Sequence, residues 1–140
     1  SIDVDYQGNL YYTQKGEYFS VHMITPNLSG DFAVYSSGFQ PEIDDIMNPN
    51  YYTNPIDVSV DNKKYTYIAD QDDADVKVFD SRGFFFKKAG YKNNQEKIML
   101  SPVAVAIDAR GVLYVCDKAG SAIYRFKLSN VLNEDLIPED

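Results

Sequence analysis

Three short apolar runs, separated by turn residues, recur along this chain, and the recurrence limits its fold more than any other feature. The clearest copy spans Ser101–Leu128, a similar copy spans Asn54–Asp80, and a looser one spans Ser1–Thr25. Each run is about one strand long, and a single unit of this kind cannot bury its apolar surface alone. The sequence therefore predicts one domain in which a single β unit is used three times.

An aspartate closes the first apolar run of each unit and aligns the three copies. These aspartates are Asp5, Asp61 and Asp108. Three further positions recur at fixed distances after these aspartates. They are a turn residue (Gly8, Lys64 and Gly111), a tyrosine (Tyr11, Tyr67 and Tyr114) and a polar residue (Gln14, Asp70 and Asp117). Aspartate side chains at strand ends bind turn amides. We therefore expect structural rather than catalytic roles for the recurrent aspartates, and also for Asp70 and Asp117.

The residues between these landmarks predict antiparallel strands joined by tight turns. In the third unit, Val103, Val105 and Ile107 alternate with alanines, which predicts a strand buried on both faces. Gly111 permits the positive φ of a hairpin turn at Asp108–Gly111. Further strands are predicted at Val112–Cys116, Ala122–Leu128, Phe84–Lys88 and Phe32–Ser36. Between units, Pro41–Met47 predicts a short helix, and Tyr91–Leu100 predicts a polar linker.

The second and third units resemble the NHL-repeat family of β-propellers. The residues that carry the resemblance are Pro55–Asp61, Tyr67–Asp70 and Val76–Gly83, which recur as Pro102–Asp108, Gly111, Leu113–Asp117 and Ile123–Phe126. The first unit departs from the pattern, because it lacks the leading proline and has Gln14 where aspartate is expected. The resemblance implies an all-β fold, a partial β-propeller of about three four-stranded antiparallel blades.

This fold implies one segment over residues 1–140, with units at about 1–50, 51–97 and 98–140. A propeller ring needs at least about four blades. We therefore expect either a longer parent chain or self-association through the open sheet edges.

Charge and hydropathy exclude several classes of partner. The formal net charge is −8, which disfavours nucleic acid, because its backbone binds fields of Lys and Arg. No apolar run reaches the roughly 18 residues of a transmembrane helix, so no membrane insertion is expected. Cys116 is the single cysteine, which excludes an intrachain disulfide. Its apolar neighbours predict a small buried side chain rather than a nucleophile.

Two polar segments are candidates for binding. The acidic run Asp70–Asp75 invites comparison with a Ca²⁺ loop. However, Ala74, Asp75 and Ser81 occupy positions where an EF-hand has an acid or amide, a glycine and a glutamate. A solvated turn between strands is favoured, and no metal or cofactor is expected.

Tyr51 and Tyr52 lie in the long linker, where packing of the loop is favoured and contact with a protein or glycan is the alternative. Together with Asp72 and Asp73, they are the residues we select as candidates for partner binding. His22 is a lone histidine and cannot supply a multi-histidine metal site, so a surface or half-buried position is expected.

These observations predict a non-catalytic β-propeller scaffold that binds a protein partner through its inter-strand loops. The first alternative is a carbohydrate- or small-ligand-binding module of a cell-surface protein. The second is a segment of a larger propeller enzyme whose metal ligands lie outside these residues. The β-repeat pattern and the 12 tyrosines favour an extracellular or cell-envelope location.

Overall fold

The computed structural model describes residues 1–13, 21–24, 26, 52–83, 85–93 and 95–127. Every regular element in these ranges is a β-strand, and none of them contains a helix. This confirms the predicted all-β class. The predicted helix at 41–47 and the predicted strand at 32–36 lie outside the described residues.

The strands form three antiparallel sheets and one short hairpin. The first sheet contains β1 (Ile2–Val4), β2 (Leu10–Thr13) and β3 (Val21–Ile24). The second contains β4 (Pro55–Val60), β5 (Thr66–Asp70), β6 (Asp75–Phe79) and β7 (Phe85–Ala89). The hairpin contains β8 (Tyr91–Lys92) and β9 (Glu96–Lys97), and the third sheet contains β10 (Pro102–Ile107), β11 (Val112–Asp117) and β12 (Ala122–Lys127). Within each sheet, strands that are consecutive in sequence pair with each other, and none of the described sheets closes on itself.

The predicted four strands are present in the second sheet, and the described parts of the first and third sheets have three. One prediction about an individual element differs from this arrangement. The segment predicted as a polar linker after the second sheet contains the hairpin β8–β9. Its turn has Asn93 at a φ of 52°, a left-handed conformation that asparagine tolerates better than most residues.

The second and third sheets share one register. Val58 pairs with Ile68 in the second sheet, and Val105 pairs with Val115 in the third. Both first strands also begin with a proline followed by a register irregularity, at Pro55 and at Pro102. A proline at the start of a strand removes no ladder hydrogen bond.

The recurrent aspartates hold the first turn of each sheet, as predicted. The Asp61 carboxylate accepts the N–H of Lys63 at 2.8 Å, the N–H of Tyr65 at 2.9 Å and the hydroxyl of Tyr67 at 2.9 Å. Asp5 and Asp108 accept the equivalent three bonds, from Gln7, Asn9 and Tyr11 and from Arg110, Val112 and Tyr114. The turns also place Gly8, Lys64 and Gly111 at φ values of 83°, 65° and 84°, so the predicted positive φ of Gly111 is confirmed.

The three sheets stack face to face in chain order. Tyr11 and Val21 of the first sheet pack against Val58, Ile68 and Phe79 of the second. On its opposite face, the second sheet buries Tyr67, Ala69, Val76 and Val78 against Val105, Leu113, Val115 and Phe126 of the third. Equivalent faces therefore meet at both interfaces, because Val58, Ile68 and Phe79 occupy the positions of Val105, Val115 and Phe126.

Two aspartates on first strands connect each sheet to the next, and we call them the inter-sheet aspartates, Asp3 and Asp57. Asp3 Oδ2 accepts the backbone N–H of Val60 at 2.7 Å and the hydroxyl of Ser59 at 3.2 Å. Asp57 Oδ2 accepts the backbone N–H of Val105 at 2.8 Å. Since β4 and β10 lie at sheet edges, these carboxylates satisfy amides that have no ladder partner.

The face of the third sheet that points away from the second sheet is exposed, which contradicts two predictions. Ala104, Ala106 and Cys116 are exposed, and Ile123 is 73% exposed. Thus β10 is buried on one face rather than on two, and Cys116 is not a buried side chain. Both errors have one cause: the equivalent face of the second sheet is covered by a neighbouring sheet, whereas nothing among the described residues covers this one.

Candidate functional site

The turn between β5 and β6 meets the loop that leads into β4. The Asp70 carboxylate accepts the backbone N–H groups of Thr53 and Asn54, both at 2.8 Å. The Asn54 amide also donates to Asp72 Oδ1 at 3.3 Å. These bonds bring the loop at 52–54 and the acidic turn together into one site, which contains three of the four residues selected from the sequence.

The third sheet uses Asp117 in the same way. Its carboxylate accepts the N–H of Leu100 at 3.0 Å, the N–H of Ser101 at 2.8 Å and the N–H of Gly120 at 3.1 Å. Burial alone would raise the pKa of Asp117, but the backbone bonds outweigh it and the pKa lies below the usual aspartate value. The structural role predicted for Asp70 and Asp117 is therefore confirmed by their contacts.

The second sheet differs from the third in having a buried lysine in the middle of β6. Lys77 is fully buried, and its ammonium lies 2.9 Å from Asp70, 2.6 Å from Asp73 and 3.0 Å from Asp75. A lysine ammonium has three N–H donors, so each donor has one carboxylate. We call these four residues, Asp70, Asp73, Asp75 and Lys77, the ion cluster.

Electrostatics stabilise the charged forms within this cluster. Burial alone would lower the pKa of Lys77, but the carboxylates of Asp75 and Asp70 outweigh it, and the pKa is raised. Burial alone would likewise raise the pKa of Asp73, but the hydrogen bond from Lys77 outweighs it, and the pKa is lowered. Both directions favour a charged Lys77 beside a charged Asp73 at neutral pH.

Two further groups contact the cluster from the outer part of the second sheet and the hairpin. The hydroxyl of Tyr91 donates to Asp75 Oδ2 at 2.8 Å, and Lys88 Nζ lies 3.5 Å from the same oxygen. Burial raises the pKa of Tyr91, and the Asp75 carboxylate raises it further. Tyr91 therefore stays a neutral donor at physiological pH.

The ion cluster is also the place where a metal ion would be sought. Carboxylate oxygens of Asp70, Asp73 and Asp75 lie within 4.8 Å of one another, and three such oxygens suit a hard divalent cation. However, the Lys77 ammonium lies at bonding distance from all three carboxylates. The lysine thus supplies the positive charge that a metal would supply, and the arrangement fits an internal ion network.

The candidate partner-binding residues differ in what they offer to a partner. Tyr51 lies outside the described residues. Tyr52 is 6% exposed and its ring lies 5.7 Å from that of Phe79, so it packs into the core between the first and second sheets. Asp73 is engaged by Lys77, whereas Asp72 is exposed. The solvated turn predicted for Asp70–Asp75 therefore describes Asp72 but not the fully buried Asp70 and Asp75.

Sequence reasoning missed Lys77 and the ion cluster it organises. The available signal was a lysine between two valines in a strand, with aspartates two, four and seven positions earlier. The aspartate two positions earlier shares a strand face with the lysine. A charged residue in an otherwise apolar strand is buried only if it is paired, so the pattern indicates an internal ion pair.

The opposite end of the sheets presents the turns that the recurrent aspartates hold. Tyr6 is 71% exposed, and Lys64 Nζ lies 5.9 Å from the centre of its ring. The Arg110 side chain is 74% exposed and pairs with Asp108 at 2.7 Å. The N–H of Val112 and the Arg110 guanidinium lower the pKa of Asp108 to about 2. This turn surface, formed by the tips at residues 6–8, 62–64 and 109–110, carries an aromatic ring and several cations.

His22 is half-buried, as predicted, and its ring stacks on Tyr12 with 4.8 Å between the ring centres.

Within the described ranges, no helix has the length and hydropathy needed to cross a bilayer. No protein-family model and no curated protein matches the chain, so its site is interpreted from the contacts above.

Proposed function

We propose that this chain is a β-propeller segment that acts as a non-catalytic scaffold and binds a protein partner through its turn surface. The propeller interpretation is supported by the stacking of three antiparallel sheets in chain order, with equivalent faces meeting at each interface. It is also supported by the inter-sheet aspartates, which place β1 beside β4 and β4 beside β10.

The observation that carries the scaffold proposal is the use of the recurrent aspartates. Each one accepts two turn amides and one tyrosine hydroxyl, so its oxygens are occupied by the fold. Because the aspartate carboxylate binds the backbone amides of the turn, the conformation of the turn does not depend on which side chains lie at its tip. The tips accordingly differ, with Tyr6-Gln7 in the first sheet, Asn62-Lys63 in the second and Ala109-Arg110 in the third.

The chemistry of these tips supports a protein partner. Tyrosine and arginine are the residue types that most often contribute large shares of the binding energy at protein interfaces. Tyr6 and Arg110 are both largely exposed, and Lys63 adds a third exposed side chain on the same surface. The partner surface that fits is acidic, with an apolar recess for the Tyr6 ring.

The test is site-specific photo-crosslinking in cells that express the protein. A photoreactive amino acid is placed at Asn62, on the turn surface, and in separate proteins at Asp72 and at Gln95. All three side chains are exposed, but the latter two lie on the acidic turn and on the β8–β9 hairpin. We expect a discrete protein adduct from position 62 and none from position 95.

Substitution of the turn surface then tests specificity. Tyr6→Ala combined with Arg110→Ala should remove the adduct, whereas Leu100→Ala, also at a highly exposed apolar residue, should leave it unchanged. Adduct formation from position 72 alone would move the interface to the acidic turn. Binding of the purified protein to a glycan array, with no protein adduct from any position, would favour the carbohydrate-binding alternative.

A further inference from the structure

Among the described residues, one kind of sheet interface occurs twice, and each of the two face types that form it occurs once more with no sheet covering it. The face of the second sheet that packs against the third sheet includes Ala69 and Val76, which are both fully buried. The opposite face of the second sheet, which packs against the first sheet, includes Val58, which is 3% exposed. Their equivalents at the two ends of the stack are Cys116, Ile123 and Ile2.

These end positions are uncovered in the described structure. Ile123 is 73% exposed where its equivalent Val76 is fully buried, and Ile2 is 69% exposed where Val58 is 3% exposed. Val4, beside Ile2 on the same sheet face, is 53% exposed. Contiguous apolar patches on a protein surface mark interaction sites, whereas single exposed apolar residues are common.

We infer that the exposed face of the third sheet binds the exposed face of the first sheet in a second copy of the chain, head to tail. We call the two surfaces the third-sheet outer face (Ala104, Ala106, Cys116 and Ile123) and the first-sheet outer face (Ile2, Val4 and Tyr12). The occupant follows from continuity with the internal interfaces. Within the chain, the face of the second sheet that is equivalent to the third-sheet outer face is covered by the third sheet. The face of the third sheet that covers it is equivalent to the first-sheet outer face. A second copy of the chain offers this first-sheet outer face.

The geometry also indicates that this contact is weaker than the internal ones. The third sheet has Ala104 and Ala106 where the second has Asp57 and Ser59, so it lacks an inter-sheet aspartate to bind the next first strand. Arg125 occupies the position of the fully buried Val78, and its guanidinium must keep water or an anionic partner. The association should therefore depend on concentration. A head-to-tail contact either closes a ring or extends as a polymer, so the mass should be twice 15.9 kDa or a higher multiple.

The test combines light scattering over a range of concentrations with two charge variants. Ile123→Asp removes the third-sheet outer face and Ile2→Asp removes the first-sheet outer face. Each variant alone should weaken self-association at least about 100-fold, because an unpaired carboxylate would be buried. An equimolar mixture should associate again, since each variant retains the face that the other has lost. Leu100→Asp, at an exposed residue outside the strands, is the matched control and should associate like the unmodified chain.

Two results would overturn the inference. One is a monomeric unmodified chain at every concentration up to about 1 mM, a limit that corresponds to roughly 4 kcal/mol of binding free energy. The other is an Ile2→Asp variant that still dimerises, because that would mean that two third-sheet outer faces bind each other. Both substituted residues are highly exposed, so circular dichroism melts of the variants should match that of the unmodified chain and show that folding is intact.

Discussion

Replacing Lys77 with methionine should destabilise the protein more than replacing any other lysine of the second sheet. The substitution keeps most of the side-chain volume but leaves the carboxylates of Asp70 and Asp75, which are 0% exposed, without the ammonium that lies 2.9 and 3.0 Å away. Breaking a buried ion pair by removing one partner costs about 3–5 kcal/mol. For a chain of 140 residues, this corresponds to a decrease in melting temperature of roughly 10–17 °C.

The effect should depend on pH in a defined direction. The pKa of Asp73 is lowered in the folded protein by its hydrogen bond to Lys77, so the stabilisation through this group is present above the unfolded-state pKa, about 4, and is lost as the pH falls through the folded-state value. The stability difference between the unmodified chain and Lys77→Met should therefore be largest near pH 7 and should decrease below about pH 4.

Urea unfolding followed by circular dichroism at pH 7 and pH 3.5 measures this difference. Lys88→Met is the matched control, because Lys88 contacts the same Asp75 carboxylate at 3.5 Å but its side chain is 32% exposed. Partly exposed ion pairs contribute about 0–1 kcal/mol. A loss of less than 1 kcal/mol for Lys77→Met at pH 7 would show that the ion cluster does not stabilise the fold as inferred. Adding Asp70→Asn and Asp75→Asn to Lys77→Met should recover part of the loss, because the uncompensated charges are then absent.

Four further substitutions test the turns and the sheet interfaces by urea unfolding. Gly111→Ala should lower the free energy of unfolding by about 1–2 kcal/mol, because the φ of 84° is strained for alanine while the added Cβ meets no atom within 4 Å. Lys64→Gly, at the equivalent φ of 65°, should leave the stability unchanged or increase it. A stable Gly111→Ala variant beside a destabilised Lys64→Gly variant would contradict the role assigned to positive φ in these turns. Tyr67→Phe should cost about 1 kcal/mol by removing a hydroxyl that donates to the turn aspartate at 2.9 Å; no change would mean that this bond is replaced by water. Asp57→Ala should cost about 1–3 kcal/mol, because the N–H of Val105 loses its carboxylate; an unchanged unfolding midpoint would show that the inter-sheet bond is dispensable.

The sheets were predictable because their signal is local and repeated. Alternation of apolar residues predicts strands, and an aspartate before a glycine predicts the hairpin, since both follow from the conformation of a few neighbouring residues. The capping roles of Asp61 and Asp108 could be inferred for the same reason. The turn at Lys64 shows the limit of such rules, because a non-glycine residue there adopts the same positive φ as Gly8 and Gly111.

The burial of individual faces was not predictable, because it depends on which sheet lies opposite. Cys116 and Ala69 occupy equivalent strand positions, yet Cys116 is exposed and Ala69 is fully buried. Their neighbours in sequence are similarly apolar, so composition alone assigns them the same environment. The ion cluster was missed for a related reason: its ion pairs form only when the turn after β5 brings Asp70 and Asp73 against Lys77 of the next strand.

The equivalence of Lys77 and Tyr124 has a consequence for how the protein loses its structure. Both residues occupy the same position in their sheets, but Lys77 binds three carboxylates, whereas the hydroxyl of Tyr124 donates to the backbone carbonyl of Ile98 at 3.2 Å. Protonation of the carboxylates removes the charged partners of Lys77, whereas the bond from Tyr124 to a backbone carbonyl is unaffected. Below about pH 4, the amide protection factors of β6 should therefore decrease before those of β12, so that opening begins in the middle of the stack rather than at its end.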